Sequence, residues 1–326
     1  MPQPAWRLDN DAAVRFDTEI HVAVETLNID AASFHQMESA AKDERGVADQ
    51  VLDTVAQRGK QHNPVTGSGG MLLGRVTWVG PAAVARGFAV GDRVATLASL
   101  SLTPLALEAV WNVRRESCQL DVTGAAIVFL SAPLARVPAD IPERVALAVF
   151  DVAGAAPQVA RHAKQGARVV VLGAGGKSGI LCCAEARRKV GDGGSVVAVE
   201  HDAALAADLE TLGICSAVVR ADATRPLATR DAVLAATGGA YADLVVSCVN
   251  VGGVEPAAIL LARPRGSIYF FAMSTSFTAA ALGAEGMSRD IDMYIGNGYA
   301  EGHAEHTFDL LRSERGLGAL FARRYG

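Results

Sequence analysis

The stretch "VVVLGAGGKSGILCC", Val169 to Cys183, carries two nucleotide-binding signatures that imply different chemistry. Its "GGKS" matches the end of a triphosphate-binding P-loop, whereas its glycines match the turn that receives a dinucleotide. A P-loop ending at Gly176-Lys177-Ser178 requires a glycine at position 171. That position is Val171, so the P-loop is excluded. The preceding "ARVVVLG" is a short apolar run of the kind that forms a buried parallel strand, and "GILCCAEARRKVG" continues as a helix. Strand, glycine turn and helix are the setting a dinucleotide site needs.

The glycine spacing is irregular. Gly173 and Gly175 take the first two positions of G-x-G-x-x-G, the third falls on Ser178, and Gly179 follows one later. Equally, Gly173, Gly176 and Gly179 read as G-x-x-G-x-x-G. Both forms leave bare backbone at a helix N-terminus, whose N–H groups and dipole favour a pyrophosphate. A ligand-free tight turn before a helix explains the same letters. Lys177 faces either the pyrophosphate, a substrate carboxylate or solvent. The next strand, "GGSVVAVEHD", ends in Glu200, where a carboxylate accepts from both hydroxyls of the adenosine ribose and repels a 2′-phosphate. NAD is therefore expected over NADP, with Asp202 as the alternative acid. A solvated acid after a strand is the other reading of either.

Further alternations follow in "SAVVRAD", "RDAVLAATGG", "ADLVVSCVN", "PAAILLA" and "GSIYFFA", so Asp151 to about Phe277 reads as one doubly wound parallel sheet. Before it, "EIHVAVETLNID", "GRVTWVG" and "GDRVATL" are short β-rich runs between Gly and Asp turns, which predicts a compact β domain over residues 1–150. "LARVPADIPERVAL" marks the passage between the two. Two domains also suit a chain of 326 residues, and a formal charge of −5 without a basic tract argues against a nucleic-acid partner. Charges near the N-terminus replace the apolar run of a signal peptide, and no window reaches the roughly 18 apolar residues of a membrane span. The expected location is the cytoplasm, without membrane attachment. Of five cysteines, none forms a CxxC pair; Cys182 and Cys183 read as core, and Cys118 is given no role.

The order of parts resembles the medium-chain dehydrogenase/reductase superfamily over nearly the whole chain, through "GRVTWVG", "GFAVGDRVATL" and "VPADIPERVALAVFDVAGAAPQVARHAKQGARVVVLGAGG". The resemblance implies an α/β protein: a β-rich GroES-like catalytic domain (1–150), a Rossmann domain (151–277) and a segment (278–326) that folds back onto the first domain. The zinc-binding branch carries G-H-E where this chain has Gly67-Ser68-Gly69, and its first zinc cysteine falls in the region "NIDAASFH". Thiol and imidazole are missing at both points, and no four-cysteine lobe exists. Of the remaining His35, His62, His303 and His306, the last two at i, i+3 can share a helix face but lack an obvious third ligand, so they read as surface or capping residues. No metal is expected.

Longer runs resemble a narrower group, the L-erythro-3,5-diaminohexanoate dehydrogenase family of lysine fermentation. They include "LNIDAASFHQ", "RGKQHNPVTGSGGMLLG", "VATLASLSLTPL", "MSTSFTAAALGAEGM" and "IGNGYAEGHA". The resemblance implies NAD-linked oxidation of a 3-amino group to 5-amino-3-oxohexanoate and ammonia. That chemistry needs a general base and a group to position water, but no metal. Asp30 and Asp151 lie where the superfamily gathers its catalytic groups; each either holds an ammonium or takes its proton, or else is a turn cap (Asp30) or helix N-cap (Asp151). Glu285 is a third acid. Ser68, Ser33 and Asn28 are candidates to hold water or substrate, and Lys60 or Arg58 to meet the substrate carboxylate beside Lys177. Asn297 and Tyr299 of "GNGY" either line the cleft or form a plain glycine turn. The expected partner is a small diamino acid, in a homo-oligomeric enzyme. Two other classes stay open: a zinc-free quinone or enoyl reductase using NADPH, and a non-catalytic NAD-binding protein.

Overall fold

The computed structural model describes residues 5–40, 44–64, 67–296 and 298–326. The chain forms two units, Met1–Asp151 with Tyr325–Gly326, and Val152–Arg324. The first contains β1 (Glu19–Asn28), α1 (Ala31–Ala40), α2 (Glu44–Arg58), β2 (Met71–Val79), β3 (Arg93–Thr96), β4 (Leu105–Arg114), β5 (Gln119–Phe129), β6 (Leu134–Arg136) and α3 (Glu143–Phe150). Its sheet has the order β4-β5-β1-β2-β3-β6 and is antiparallel throughout.

Side chains alternate faces along a strand, yet the core takes Ile20, Val22 and Val24 from β1 and then Leu27 and Ile29. A register shift between Val24 and Thr26, present against both β2 and β5, accounts for the change of phase. The extra residue turns the odd positions inward at the end of β1 and leaves Asn28 on the opposite face. On α2, Val47, Val51 and Val55 recur every four residues and bury one helical stripe in the same core.

The second unit contains α4 (Ala155–His162), β7 (Arg168–Leu172), α5 (Lys177–Val190), β8 (Ser195–Glu200), α6 (Ala203–Leu212), β9 (Ala217–Arg220), α7 (Pro226–Ala236), β10 (Ala242–Ser247), α8 (Glu255–Leu261), β11 (Ala262–Phe270), α9 (Phe277–Gly286), β12 (Asp292–Ile295), α10 (His303–Ser313) and α11 (Leu317–Tyr325). All six strands are parallel, in the order β12-β11-β10-β7-β8-β9. The order reverses between β7 and β10, the place where doubly wound sheets bind ligands. Val169, Val170, Val171 and Leu172 of β7 are buried, as a central parallel strand covered on both faces requires. Cys182 and Cys183 are buried within α5, in keeping with their reading as core.

Of the segment 278–326, expected to return to the first domain, residues up to Arg324 group with the second unit and Tyr325–Gly326 with the first. β12 pairs with β11 from Ser267↔Asp292 to Phe270↔Ile295 and extends the parallel sheet. α10 packs on α4 and α5, and Thr307 Oγ1 donates to the Ala153 carbonyl at 2.8 Å. Pairing and packing thus keep the chain with the second unit well past residue 277.

Candidate active site

The glycine loop lies between β7 and α5. Gly173 has φ +69°, a left-handed conformation open to glycine, and a Cβ there would lie 3.0 Å from Val249 Cγ2 at the end of β10. On Gly175 it would lie 2.8 Å from Glu200 Oε2, and on Gly179 2.1 Å from the Gly173 carbonyl oxygen. The third tight-packing glycine is therefore Gly179, one residue beyond the fingerprint position that Ser178 occupies. Gly176 is the extended N-cap of α5, and half-buried Lys177 is its first residue.

Glu200 is buried at the end of β8 and binds this loop. Its Oε2 accepts from Gly175 N–H at 2.9 Å, and Oε1 accepts from the N–H groups of His201 and Asp202 at 2.9 and 3.0 Å. Asp202 is committed elsewhere: it caps α6 through the N–H groups of Ala204 and Leu205 at 2.8 and 2.9 Å. The hydrogen bond from Leu205 leads the causes that hold its carboxyl below the ordinary range. Bare backbone at Gly175 and Gly179, a helix N-terminus and one carboxylate at the next strand end together fit a dinucleotide.

In the first unit, polar side chains gather at one end of the sheet. A Cβ on Gly70 would lie 2.1 Å from the Asn28 carbonyl oxygen, and one on Gly69 2.3 Å from that of Gln61. These two glycines thus bring the end of β1 and the segment after α2 together. Asn28 is 1% exposed, stands opposite Gln119 in the β1–β5 register, and accepts from Gln119 Nε2 at 3.2 Å. Asp30 caps α1: Oδ1 accepts from Ser33 N–H at 2.9 Å and its carbonyl from Phe34 N–H at 2.9 Å. Ser68 Oγ accepts from Gly70 N–H at 3.3 Å, and its carbonyl from Asn63 N–H at 2.7 Å. Lys60 is fully buried; burial first, then the charge of Arg58, lowers its pKa.

Among the described residues, buried atoms at this end that lack a hydrogen-bond partner include Asn28 Nδ2, Asp30 Oδ2, Gln61 Oε1, His62 Nδ1 and Gln119 Oε1. Such groups cost free energy unless something satisfies them. Sequence reading missed Gln61, Asn63 and Gln119, and it singled out His62 only as a leftover histidine. A polar residue at the start of a strand that is mostly apolar in its second half, as Gln119 opens β5, was the available signal.

The other expected residues belong to the second unit or take structural positions. Asp151 ends α3 rather than starting a helix, its N–H donating to the Leu147 carbonyl at 3.1 Å. Glu285 is exposed on α9 of the second unit. Tyr299 is 47% exposed, and its carbonyl accepts from Gln158 Nε2 at 3.2 Å. Asn297 lies outside the described residues. His303 is buried, whereas His306 is partly exposed and sits 3.3 Å from the buried Glu185, so only His303 departs from the surface reading. Among the described residues no three His, Cys, Asp or Glu side chains group to hold a metal ion.

Residues 1–138 match the family model described as the L-erythro-3,5-diaminohexanoate dehydrogenase N-terminal domain. Two proteins named L-erythro-3,5-diaminohexanoate dehydrogenase, from Acetoanaerobium sticklandii and Fusobacterium nucleatum, are each 44% identical over 327 residues. The match covers 100% of this chain and 95% and 94% of theirs. The chain belongs to the L-erythro-3,5-diaminohexanoate dehydrogenase family. Solved structures similar to this family member include a CurK enoyl reductase (TM-score 0.59, 15% identity, 94% of this chain and 78% of that one). A Pseudomonas syringae quinone oxidoreductase (0.59, 17%, 97% and 92%) and the alcohol dehydrogenase TADH from Thermus (0.56, 16%, 98% and 86%) are similar too. At such low identity they show only that this diaminohexanoate dehydrogenase relative has the medium-chain dehydrogenase/reductase fold.

Proposed function

We propose that the protein oxidises L-erythro-3,5-diaminohexanoate at C3 with NAD, giving 5-amino-3-oxohexanoate and ammonia. The observation that carries the reading is the 44% identity, over the whole chain, with two dehydrogenases of that name. The C3 ammonium loses a proton, its carbon loses a hydride, and water adds as ammonia leaves. Bound NAD supplies the hydride acceptor. Gly173, Gly175, Gly176, Lys177, Ser178 and Gly179 hold the pyrophosphate, and Glu200 holds the ribose and favours NAD over NADP.

In the first unit, Asp30 Oδ2 is a buried acceptor for a substrate ammonium or its proton. Asn28, Ser33 and Ser68 hold substrate or water. Lys60, whose buried amine binds its proton less tightly than usual, meets the substrate carboxylate, whose counter-charge favours the protonated form. The reaction runs without zinc, because Asp30 and Ser68 stand in regions where the zinc branch has thiol and imidazole. The same reading places the protein in lysine degradation, in the cytoplasm, as a homo-oligomer; no helix among the described residues is long and apolar enough to cross a membrane.

The deciding assay is NADH formation from the diamino acid, beside simple alcohols and common amino acids, before and after exhaustive chelation. Turnover is expected with the diamino acid alone and is expected to survive chelation; the reverse reaction should require ammonia. Preference for an alcohol, an enone or a quinone would overturn the reading, and loss of activity restored by zinc would overturn its metal-free form.

A further inference from the structure

Both peptide groups flanking Gly175 are held by side chains from distant parts of the second unit. Its N–H donates to Glu200 Oε2 at 2.9 Å, and its carbonyl accepts from Arg324 Nη1 at 2.7 Å. Arg324 lies on α11 and is itself fixed. Its Nε and Nη2 donate to Asp208 Oδ2 on α6 at 2.9 and 2.5 Å, its side chain is 12% exposed, and Arg323 takes the other carboxylate oxygen at 2.6 Å.

Glycine has the widest backbone freedom of any residue, and Gly175 offers no side chain by which the loop can be gripped. The two bonds replace that grip: one restrains the peptide before the residue, the other the peptide after it. In a trans peptide the N–H points opposite to the carbonyl. The pull of Arg324 therefore turns the Gly176 N–H back into the glycine turn, where it meets the Gly173 carbonyl at 3.4 Å. A loop ordered in advance loses less freedom when a ligand arrives.

We propose that Arg324 is a positioning residue for the dinucleotide: α11 clamps the glycine loop from behind, so docking of this helix and binding of the cofactor are one coupled equilibrium. The inference rests on the reading that this loop takes a nicotinamide dinucleotide. By reciprocity, the cofactor must tighten α11 as much as α11 tightens the cofactor site.

The test uses the full chain and NADH followed by fluorescence titration. Arg324→Ala is expected to raise the Kd of NADH about tenfold, the size of one charge-assisted hydrogen bond. Arg323→Ala, which removes a bond to the same carboxylate but none to the loop, is expected to leave Kd within about twofold. In the unmodified protein NADH is expected to slow amide exchange across Leu317–Tyr325; this arm stands even if the Arg324 variant does not fold. Equal Kd values for all three proteins, or no change in α11 exchange on NADH binding, would overturn the clamp. Failure of the unmodified protein to bind either NADH or NADPH would instead overturn the cofactor reading.

Discussion

Asp30 divides its carboxylate between two tasks. One oxygen caps α1, and the other is buried without a partner. Asparagine caps helices about as well as aspartate, so Asp30→Asn separates the tasks. Thermal stability is expected to hold while kcat/KM for the diamino acid falls about tenfold to a hundredfold and the Kd of NADH stays put. Unchanged kcat/KM would reduce Asp30 to a cap. At Glu200 the tasks cannot be parted, because the carboxylate proposed to face the ribose also holds Gly175. Glu200→Ala should weaken binding of both cofactors and shift the kcat/KM ratio toward NADP, which loses a repulsion that NAD never felt. A constant ratio would remove Glu200 from cofactor choice.

Among elements, the strand–glycine–helix unit was legible because it combines an apolar run with glycines whose roles are steric. Gly179 shows the limit: only the structure reveals that its hydrogen sits against the Gly173 carbonyl, where a Cβ would lie 2.1 Å away. Gly179→Ala is expected to cost at least about 1–3 kcal/mol and to abolish NADH binding, measured by denaturant melts and titration. Wild-type values for both would mean that the loop relaxes freely. The β4–β5 hairpin was missed for a related reason. Its turn runs through Arg115–Cys118, and Cys118 takes the left-handed φ of 55° that glycine or asparagine usually announces. The valine stripe of α2 was present in the letters but sits in a mostly polar stretch. The C-terminal segment was read by analogy with the superfamily, and the four residues of β12 were too short a signal to be named as a strand. The candidate site was half legible: Asn28, Asp30, Ser33, Lys60 and Ser68 were named. Gln61 and Gln119 were not, because their importance lies in burial and pairing.

Over the whole molecule, acid acts on both units alike. His62 in the first and His162 and His303 in the second all have lowered pKa values, with burial the leading cause. Unfolding releases them to the ordinary value of 6.5, so between their folded values and 6.5 the unfolded chain binds more protons. Stability is therefore full above that pH and is lost as the pH falls through the folded values. Melting temperature is expected to drop between pH 7 and pH 5, and His162→Phe, which keeps a ring against Tyr294, should reduce that slope. A flat profile would show that these histidines gain compensating partners when protonated.

The antiparallel sheet has a consequence for how the protein is made. All its strand pairings fall between Glu19 and Arg136, and the chain that forms the parallel sheet comes after them. During synthesis the ribosome releases that stretch first, and domains commonly fold as they emerge. The first sheet can close while the glycine loop has yet to be translated. Nascent chains stalled just before Gly173 should then resist protease across residues 19–136; digestion there would show that the first unit waits for the second.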